Sequence, residues 1–270
     1  MFPLAAHMGI QALGTLLWIY FALLVWLIYL IVMFIIVHIK KDTSLGNFTW
    51  GPAVLLLTLF TFPFGQEYVR TYVITFLIFL WCLRLTIYFF VRYKKGADPR
   101  YVAWLSQWKH PLIALLSSFA WVVILNGGFS LIMALPAIFV NTTVQSPINW
   151  LDILGIIIWI VGFYFETISD YQLYKFTHDS NNKGKVCTVG LWKYSRHPNY
   201  FGEILMWWGI YTIALSVPYA WMTIICPLAI TTTLVFFTGI PWNEKAMENN
   251  AEYQEYKKHT SMLFPWFAKK

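Results

Sequence analysis

The chain has 270 residues, of which 59% are hydrophobic, 20% aromatic and only 11% charged, and its formal net charge at pH 7 is +7. A soluble globular domain has roughly 25% charged residues, so this composition excludes a disordered protein, a coiled coil and an ordinary soluble enzyme. We therefore expect a membrane protein.

Apolar runs long enough to cross a bilayer as helices follow one another along the chain. They predict an all-α integral membrane protein, with a single membrane domain over residues 1–270 and about seven transmembrane helices. The predicted spans are residues 9–39, 50–65, 70–92, 111–140, 150–172, 202–217 and 219–240. Ser216, Val217 and Pro218 are typical of a tight turn between the last two spans, although one broken helix over residues 202–240 is an alternative.

The positive charges are distributed unevenly along the chain. All but two of the 19 Lys and Arg residues lie in alternate loops or in the C-terminal tail, and the exceptions are Arg70 and Arg84. Because cytoplasmic loops are enriched in Lys and Arg, this distribution predicts an outside N-terminus, a cytoplasmic C-terminus and an odd number of spans. The basic excess therefore reflects membrane topology and does not indicate nucleic acid as a partner.

The cysteines give no sign of a metal site or a disulfide framework. Cys82, Cys187 and Cys226 are far apart and form no paired motif, so no metal ligand is assigned.

Four ionisable residues interrupt the predicted spans: Arg84, Glu166, Asp170 and Glu203. A charged side chain at the bilayer centre costs about 2.5–3.5 kcal/mol on insertion scales, so such residues indicate functional sites. Glu166 and Asp170 are four positions apart and therefore share one helix face. All four residues fall in the cytoplasmic half of the predicted topology. The alternative is structural, with Arg84 reaching the interface through its long side chain and Asp170 solvated there.

Residues 190–203, GLWKYSRHPNYFGE, form the densest polar segment. Pro198 suits the first position of a helix, with Ser195 or His197 as its cap. The free N–H groups of that helical turn, together with Arg196 and His197, would form a site for a phosphate or pyrophosphate. The alternative is a positively charged juxtamembrane loop that only caps a helix.

This segment resembles the C-terminal signature of the steroid 5-alpha-reductase-like membrane proteins, especially the bacterial branch whose domain is called DUF1295. Three further features carry the resemblance: WCLRL at residues 81–85 with DPRY at 98–101, ETISDYQL at 166–173, and a tail containing Glu244, Tyr253, Tyr256 and Pro265. The resemblance covers roughly residues 70–268.

The resemblance implies an NADPH-dependent oxidoreductase acting on a CH–CH group. Hydride would reach the β carbon of an activated C=C bond while an acid stabilises the developing enolate oxygen. The substrate would be an apolar molecule taken from the bilayer, either steroid-like, isoprenoid or another lipid. The implied cofactor-binding residues are Arg84, Arg100, Tyr101, Glu166, Asp170, Tyr194, Arg196, His197, Asn199, Tyr200 and Glu203.

The catalytic residues implied are Glu67, Tyr101 and Arg84. Steroid 5-alpha-reductases hold the substrate's 3-keto group with a Gln-Glu pair and a tyrosine. The chain has a corresponding Gln-Glu pair that ends in Glu67, but Trp81 stands at the tyrosine position. Tyr88, Tyr101 and Tyr200 are alternative phenol donors, and Arg70 is an alternative ion-pair partner for Glu67.

Two other functions are compatible with the sequence. An isoprenylcysteine-type carboxyl methyltransferase shares an Arg-His-Pro motif, but it would use S-adenosylmethionine, whose cationic sulfonium requires an acidic or aromatic pocket. A transporter or membrane scaffold is the other alternative, although transporter sites usually lie near the bilayer midplane. In each case we expect a multi-pass protein, in a bacterial inner membrane or in the endoplasmic reticulum.

Overall fold

The computed structural model describes residues 2–40, 42–93 and 110–267, with the backbone alone described at 2–15, 43, 111 and 114. All regular structure within these ranges is helical. The chain divides into two units, Met1–Pro147 and Ile148–Lys270.

The first unit contains five α-helices within its described residues: α1 Phe2–Lys40, α2 Trp50–Gly65, α3 Val69–Arg92, α4 Pro111–Phe119 and α5 Asn126–Thr142. A 3-10 turn over Thr43–Phe48 precedes α2, and a π-helical segment over Ala120–Leu125 joins α4 to α5. Residues 111–142 are therefore helical throughout, as the apolar run at 111–140 predicts.

Polar side chains are buried inside this unit and pair with one another. Arg70, only 1% exposed, donates to the Gln145 side chain and to the carbonyls of Ser146 and Pro147, at 3.0–3.3 Å. The amide of Asn141 on α5 donates to the Thr58 carbonyl on α2 at 3.2 Å. Because these buried polar groups are hydrogen-bonded to one another, they do not bear the full cost of losing contact with water. The same hydrogen bonds hold the helices of this unit together.

The second unit contains α6 Trp150–His178, α7 Pro198–Ala214, α8 Ile225–Thr232, α9 Ile240–Ala246 and α10 Ala251–His259. Asn149 and Asp152 form a reciprocal capping box at the start of α6. The Ser216 hydroxyl donates to Asn149 at 3.1 Å, so the end of α7 lies beside the start of α6. The turn predicted after α7 is present, and Tyr219 within it has a φ of 62°.

Six helical segments are long and apolar enough to cross a membrane, which is consistent with a multi-pass membrane protein. They are Leu16–Lys40, Ser44–Gly65, Val69–Arg92, Leu115–Thr142, Trp150–His178 and Ala220–Ala246. The predicted span at 202–217 is not among these six; it corresponds to α7, which has 17 residues. At 1.5 Å per residue it is about 26 Å long, against about 30 Å of hydrocarbon. The count of seven spans is therefore not confirmed.

Candidate functional site

The segment predicted to bind an anion lies at the start of α7. Pro198 is the first residue of the helix, and His197 precedes it as the cap residue without a side-chain cap hydrogen bond. Ser195 holds this turn instead, because its hydroxyl oxygen accepts from the His197 N–H at 3.1 Å and donates to the Leu263 carbonyl at 2.7 Å. The helix therefore starts as predicted, while its first turn is tied to the C-terminal tail.

Glycines bring α6 and α7 into backbone contact. A β-carbon on Gly162 would lie 2.6 Å from the carbonyl oxygen of Gly202, and one on Gly202 would lie 2.5 Å from the Glu166 nitrogen. Because only glycine permits this approach, Glu166 and Asp170 lie beside the first turn of α7. There the side-chain amide of Asn199 donates to Asp170 at 3.3 Å.

Three buried carboxyl groups surround this contact. Glu166, Asp170 and Glu203 are 6%, 9% and 5% exposed. The indole N–H of Trp207 donates to Glu203 at 2.8 Å, which fixes one of its oxygens. The side-chain oxygen of Asn199 is buried and has no hydrogen-bond partner among the described residues. Since an unmade hydrogen bond of a buried group costs about 1–3 kcal/mol, this oxygen is suited to accept an N–H from a ligand.

A cationic cluster adjoins the acids in sequence. Arg196, 7% exposed, and Lys257 share the carboxylate of Glu244, at 3.1 Å and 2.8 Å, and the Nε2 atom of His197 lies 3.5 Å from it. Two basic side chains and one carboxylate leave the cluster with a net positive charge at neutral pH. Within the described part of the chain, the buried Nε of Arg196 has no hydrogen-bond partner, so it remains able to donate to a phosphate oxygen.

The acids and cations at the start of α7 come from residues 166–173, from residues 190–203 and from the tail, the segments that carry the resemblance. A family described as Protein of unknown function (DUF1295) matches residues 33–260. The chain belongs to this family. The match begins well before residue 70, so it includes α2 and the end of α1 as well as the motifs of the C-terminal half. Neither the comparison with curated proteins nor that with solved structures gave a match.

The tail of this DUF1295 protein holds the segment before α7 in place. The Tyr256 hydroxyl donates to the carbonyl of Trp192 and, at 3.1 Å, to that of Ser195. The backbone N–H of Arg196 donates to the Ser261 carbonyl at 2.8 Å. Burial raises the pKa of Tyr256 and keeps its hydroxyl protonated as a donor. The tail is therefore part of the site and not an appendage.

The neighbouring tyrosines differ in their surroundings. Tyr200 stacks on His197 with ring centroids 5.6 Å apart, and its phenol oxygen accepts from the Asn243 amide at 2.8 Å. Tyr194 is 37% exposed, and its ring forms a T-shaped pair with that of Phe267, 6.1 Å apart between centroids. Of these two tyrosines, Tyr200 is the one whose phenol oxygen receives a hydrogen bond from a side chain.

Four of the predicted site residues lie outside the second unit. Glu67 and Arg84 belong to the first unit, whereas Arg100 and Tyr101 fall outside the described residues. Glu67 is exposed in the turn between α2 and α3. Arg84 is half-buried on α3, with its guanidinium carbon 5.7 Å from the ring centroid of Tyr88.

Sequence reasoning assigned no site role to Glu244, Lys257 or Asn243. In the sequence Glu244 is only one residue of the tail that carries the resemblance, whereas in the structure it is the carboxylate that two cations share. The one available signal was an acid placed directly after the apolar run at 219–240. Nothing in a single sequence indicates that its partner is Arg196, because the two residues are distant along the chain.

Proposed function

We propose that this DUF1295 protein is a membrane-embedded, NADPH-dependent reductase of an activated C=C bond in an apolar substrate. The observation that carries the proposal is the first turn of α7, where a buried unpaired acceptor on Asn199 lies beside the carboxylate of Asp170. Arg196, whose buried Nε lacks a hydrogen-bond partner among the described residues, precedes the same turn.

These groups fit the parts of a nicotinamide dinucleotide. The carboxamide N–H of the nicotinamide matches the side-chain oxygen of Asn199, and ribose hydroxyls match carboxylates such as Asp170 and Glu203. Arg196 supplies charge-assisted hydrogen bonds to phosphate oxygens. When bound, NADPH supplies a hydride. The residues of the chain bind it, orient it and keep water away from it.

Tyr200 is the proton donor that this geometry favours. The Asn243 amide donates to the phenol oxygen of Tyr200. This bond holds the phenol on the same helical turn as Asn199, where its O–H can give a proton to a developing enolate oxygen. Tyr101 and Glu67 remain alternative donors from the sequence.

The reaction can be tested without knowing the substrate. Membranes containing the protein and a lipid extract are supplied with NADPH deuterated at the transferable position and with S-adenosylmethionine carrying a deuterated methyl group. We expect a lipid product that has gained one deuterium from NADPH and one proton from water. Membranes containing Asn199→Ala, compared with the exposed control Lys258→Ala, should not form it.

The second candidate is an S-adenosylmethionine-dependent methyltransferase. The observation in its favour is the burial of three carboxyl groups, Glu166, Asp170 and Glu203, since a sulfonium cation is stabilised by negative charge. In the same experiment this function would transfer an intact deuterated methyl group to a lipid. Transfer of neither label would favour the transporter or scaffold alternative.

For the topology we propose seven spans, with α7 as the additional one. A helix of 17 residues packed against the longer α6 can cross a locally thinned bilayer. With seven spans the N-terminus lies outside and the C-terminus lies in the cytoplasm, the side on which NADPH is available. The apolar substrate would then enter from the lipid.

A further inference from the structure

The last described segment of the chain carries large side chains that the protein does not cover. Phe264, Trp266 and Phe267, here called the aromatic edge, are 69%, 71% and 78% exposed. Phe264 lies against Phe201 with ring centroids 5.7 Å apart, and Phe267 lies against Tyr194 at 6.1 Å. Most of the surface of these aromatic side chains is left for contact with something outside the described residues.

Hydrogen bonds fix the level of the aromatic edge along the second unit. The backbone N–H of Trp266 donates to the Tyr194 carbonyl at 2.9 Å, and the Ser195 hydroxyl donates to the Leu263 carbonyl at 2.7 Å. Because Pro198 begins α7 only a few residues later, the aromatic edge lies level with the start of that helix.

The start of α7 coincides with the end of the apolar part of α6. Asn199 bonds to Asp170, and the Trp192 indole N–H donates to the Ser169 carbonyl at 2.9 Å. Beyond Asp170 the helix continues to His178 with the sequence YQLYKFTH, in which polar residues interrupt the apolar run. With α6 spanning the membrane, this level corresponds to the boundary between hydrocarbon and headgroups, the depth at which tryptophan and tyrosine accumulate in membrane proteins.

Exposed lysines accompany the aromatic edge. Lys193 is exposed in the segment that the tail holds, and the side chain of Lys257, which with Arg196 shares Glu244 in the positively charged cluster, is 45% exposed. Lysines beside interfacial aromatic residues attract anionic headgroups. The positive charge beside the aromatic edge therefore favours a surface of anionic lipid headgroups.

We propose that the aromatic edge docks on the surface of the bilayer, at headgroups of anionic phospholipids. The docked segment holds the backbone of Tyr194 and Arg196 and the hydroxyl of Ser195 through its hydrogen bonds, so lipid contact stabilises the cationic cluster. The proposal depends on the membrane setting of α6 and α7 and not on the reaction that the site performs.

A fluorescent label at position 266 tests this placement. The native cysteines Cys82, Cys187 and Cys226 are all buried, so an exposed Trp266→Cys takes a nitrobenzoxadiazole label selectively. The protein is reconstituted in vesicles of phosphatidylcholine with or without phosphatidylglycerol. Nitroxide-labelled phospholipids quench a label at the headgroups, and iodide on both faces quenches one in water. Glu255→Cys, on an exposed position of α10, is the matched control.

We expect lipid-borne nitroxide to quench the label at 266 several-fold more than the label at 255, and iodide to show the reverse order. Omitting phosphatidylglycerol should weaken the nitroxide quenching at 266. Iodide quenching equal at both positions would place the edge in water and overturn the proposal. A label at 266 that neither quencher reaches would show that protein covers it, for example a second copy of the chain, and would also overturn it.

Discussion

Two glycines before α7 have a left-handed backbone conformation for which a side chain is unfavourable. Gly184 has a φ of 81° and Gly190 a φ of 60°. A β-carbon at 184 would meet nothing within 4 Å, whereas one at 190 would lie 2.3 Å from the Gln172 side chain. The Gln172 oxygen accepts from the Leu191 N–H at 2.8 Å, so a residue larger than glycine at 190 also displaces a hydrogen bond that joins this loop to α6.

Alanine should destabilise the protein at both glycines, and more at position 190 than at position 184. Gly184→Ala should lower the free energy of unfolding by about 1 kcal/mol, from the backbone conformation alone. Gly190→Ala should lower it by about 2 kcal/mol, because a hydrogen bond is lost in addition. Thermal unfolding of both variants in detergent measures the difference. Equal melting temperatures would show that the Gln172 contact is unimportant.

The negative charge of Glu244 should stabilise the folded protein. Glu244→Gln leaves Arg196 and Lys257 with a neutral partner, so we expect a loss of stability on the order of 2 kcal/mol. The control is Glu255→Gln, since Glu255 pairs with Lys258 and His259 on the exposed surface, where such pairs contribute little. Thermal unfolding of the control should match the wild type. A Glu244→Gln protein as stable as this control would contradict the role assigned to the cluster.

At the scale of elements, α6 and α7 are joined by glycine pairs. Gly155 faces Gly209, and Gly162 faces Gly202, with backbone atoms where side chains would otherwise be. Seven residues separate the two glycines on each helix, so the pairs recur on one face of each helix. This contact places Glu166 and Asp170 at the site, and any wider spacing would separate them from Asn199.

We therefore expect opposite effects from alanine at two helical glycines. Gly162→Ala places a methyl group 2.6 Å from the Gly202 oxygen, which forces the helices apart and should cost about 2–3 kcal/mol. Gly128→Ala on α5 meets nothing within 4 Å and should be neutral or stabilising by up to about 1 kcal/mol. Melting temperatures that fall equally in both variants would contradict the packing argument.

Two tyrosines on helix α10, Tyr253 and Tyr256, should make the folded protein less stable at alkaline pH. Burial raises the pKa of Tyr253 from its ordinary value of 10.0 to about 12, and it raises that of Tyr256 as well. Because both tyrosines ionise more easily in the unfolded chain, stability should be constant below pH 10 and should fall as the pH rises to 12. The double variant Tyr253→Phe, Tyr256→Phe should show a shallower decline in melting temperature over this range. An unchanged slope would exclude these tyrosines as its cause.

At the scale of the whole molecule, the apolar pattern predicted the helices closely and the tertiary contacts poorly. The predicted span at 50–65 is α2, and the span at 70–92 differs from α3 by one residue, because lipid requires an unbroken apolar run. The sharing of Glu244 by Arg196 and Lys257, and the buried pairing of Arg70 with Gln145, were not predictable. Such contacts join distant residues, and one sequence contains no signal for them.

The predicted topology places the two ends of α6 on opposite faces of the membrane. Ile148 and Lys183 are exposed residues on either side of this helix. In sealed vesicles of known orientation, an impermeant maleimide should label Ile148→Cys from the outside and Lys183→Cys only after permeabilisation. Labelling of both variants from one side would contradict this crossing, and the reverse pattern would contradict the orientation.

Binding of NADPH at the start of α7 is the central claim, and one titration tests it most directly. Purified protein in detergent is titrated with NADPH while the nicotinamide fluorescence is followed, using the wild type, Asn199→Ala and Lys258→Ala. The wild type and Lys258→Ala should bind alike, and Asn199→Ala should bind at least about tenfold more weakly, which corresponds to about 1.4 kcal/mol. Absence of NADPH binding by the wild type, or NADPH binding unaffected by Asn199→Ala, would contradict the account.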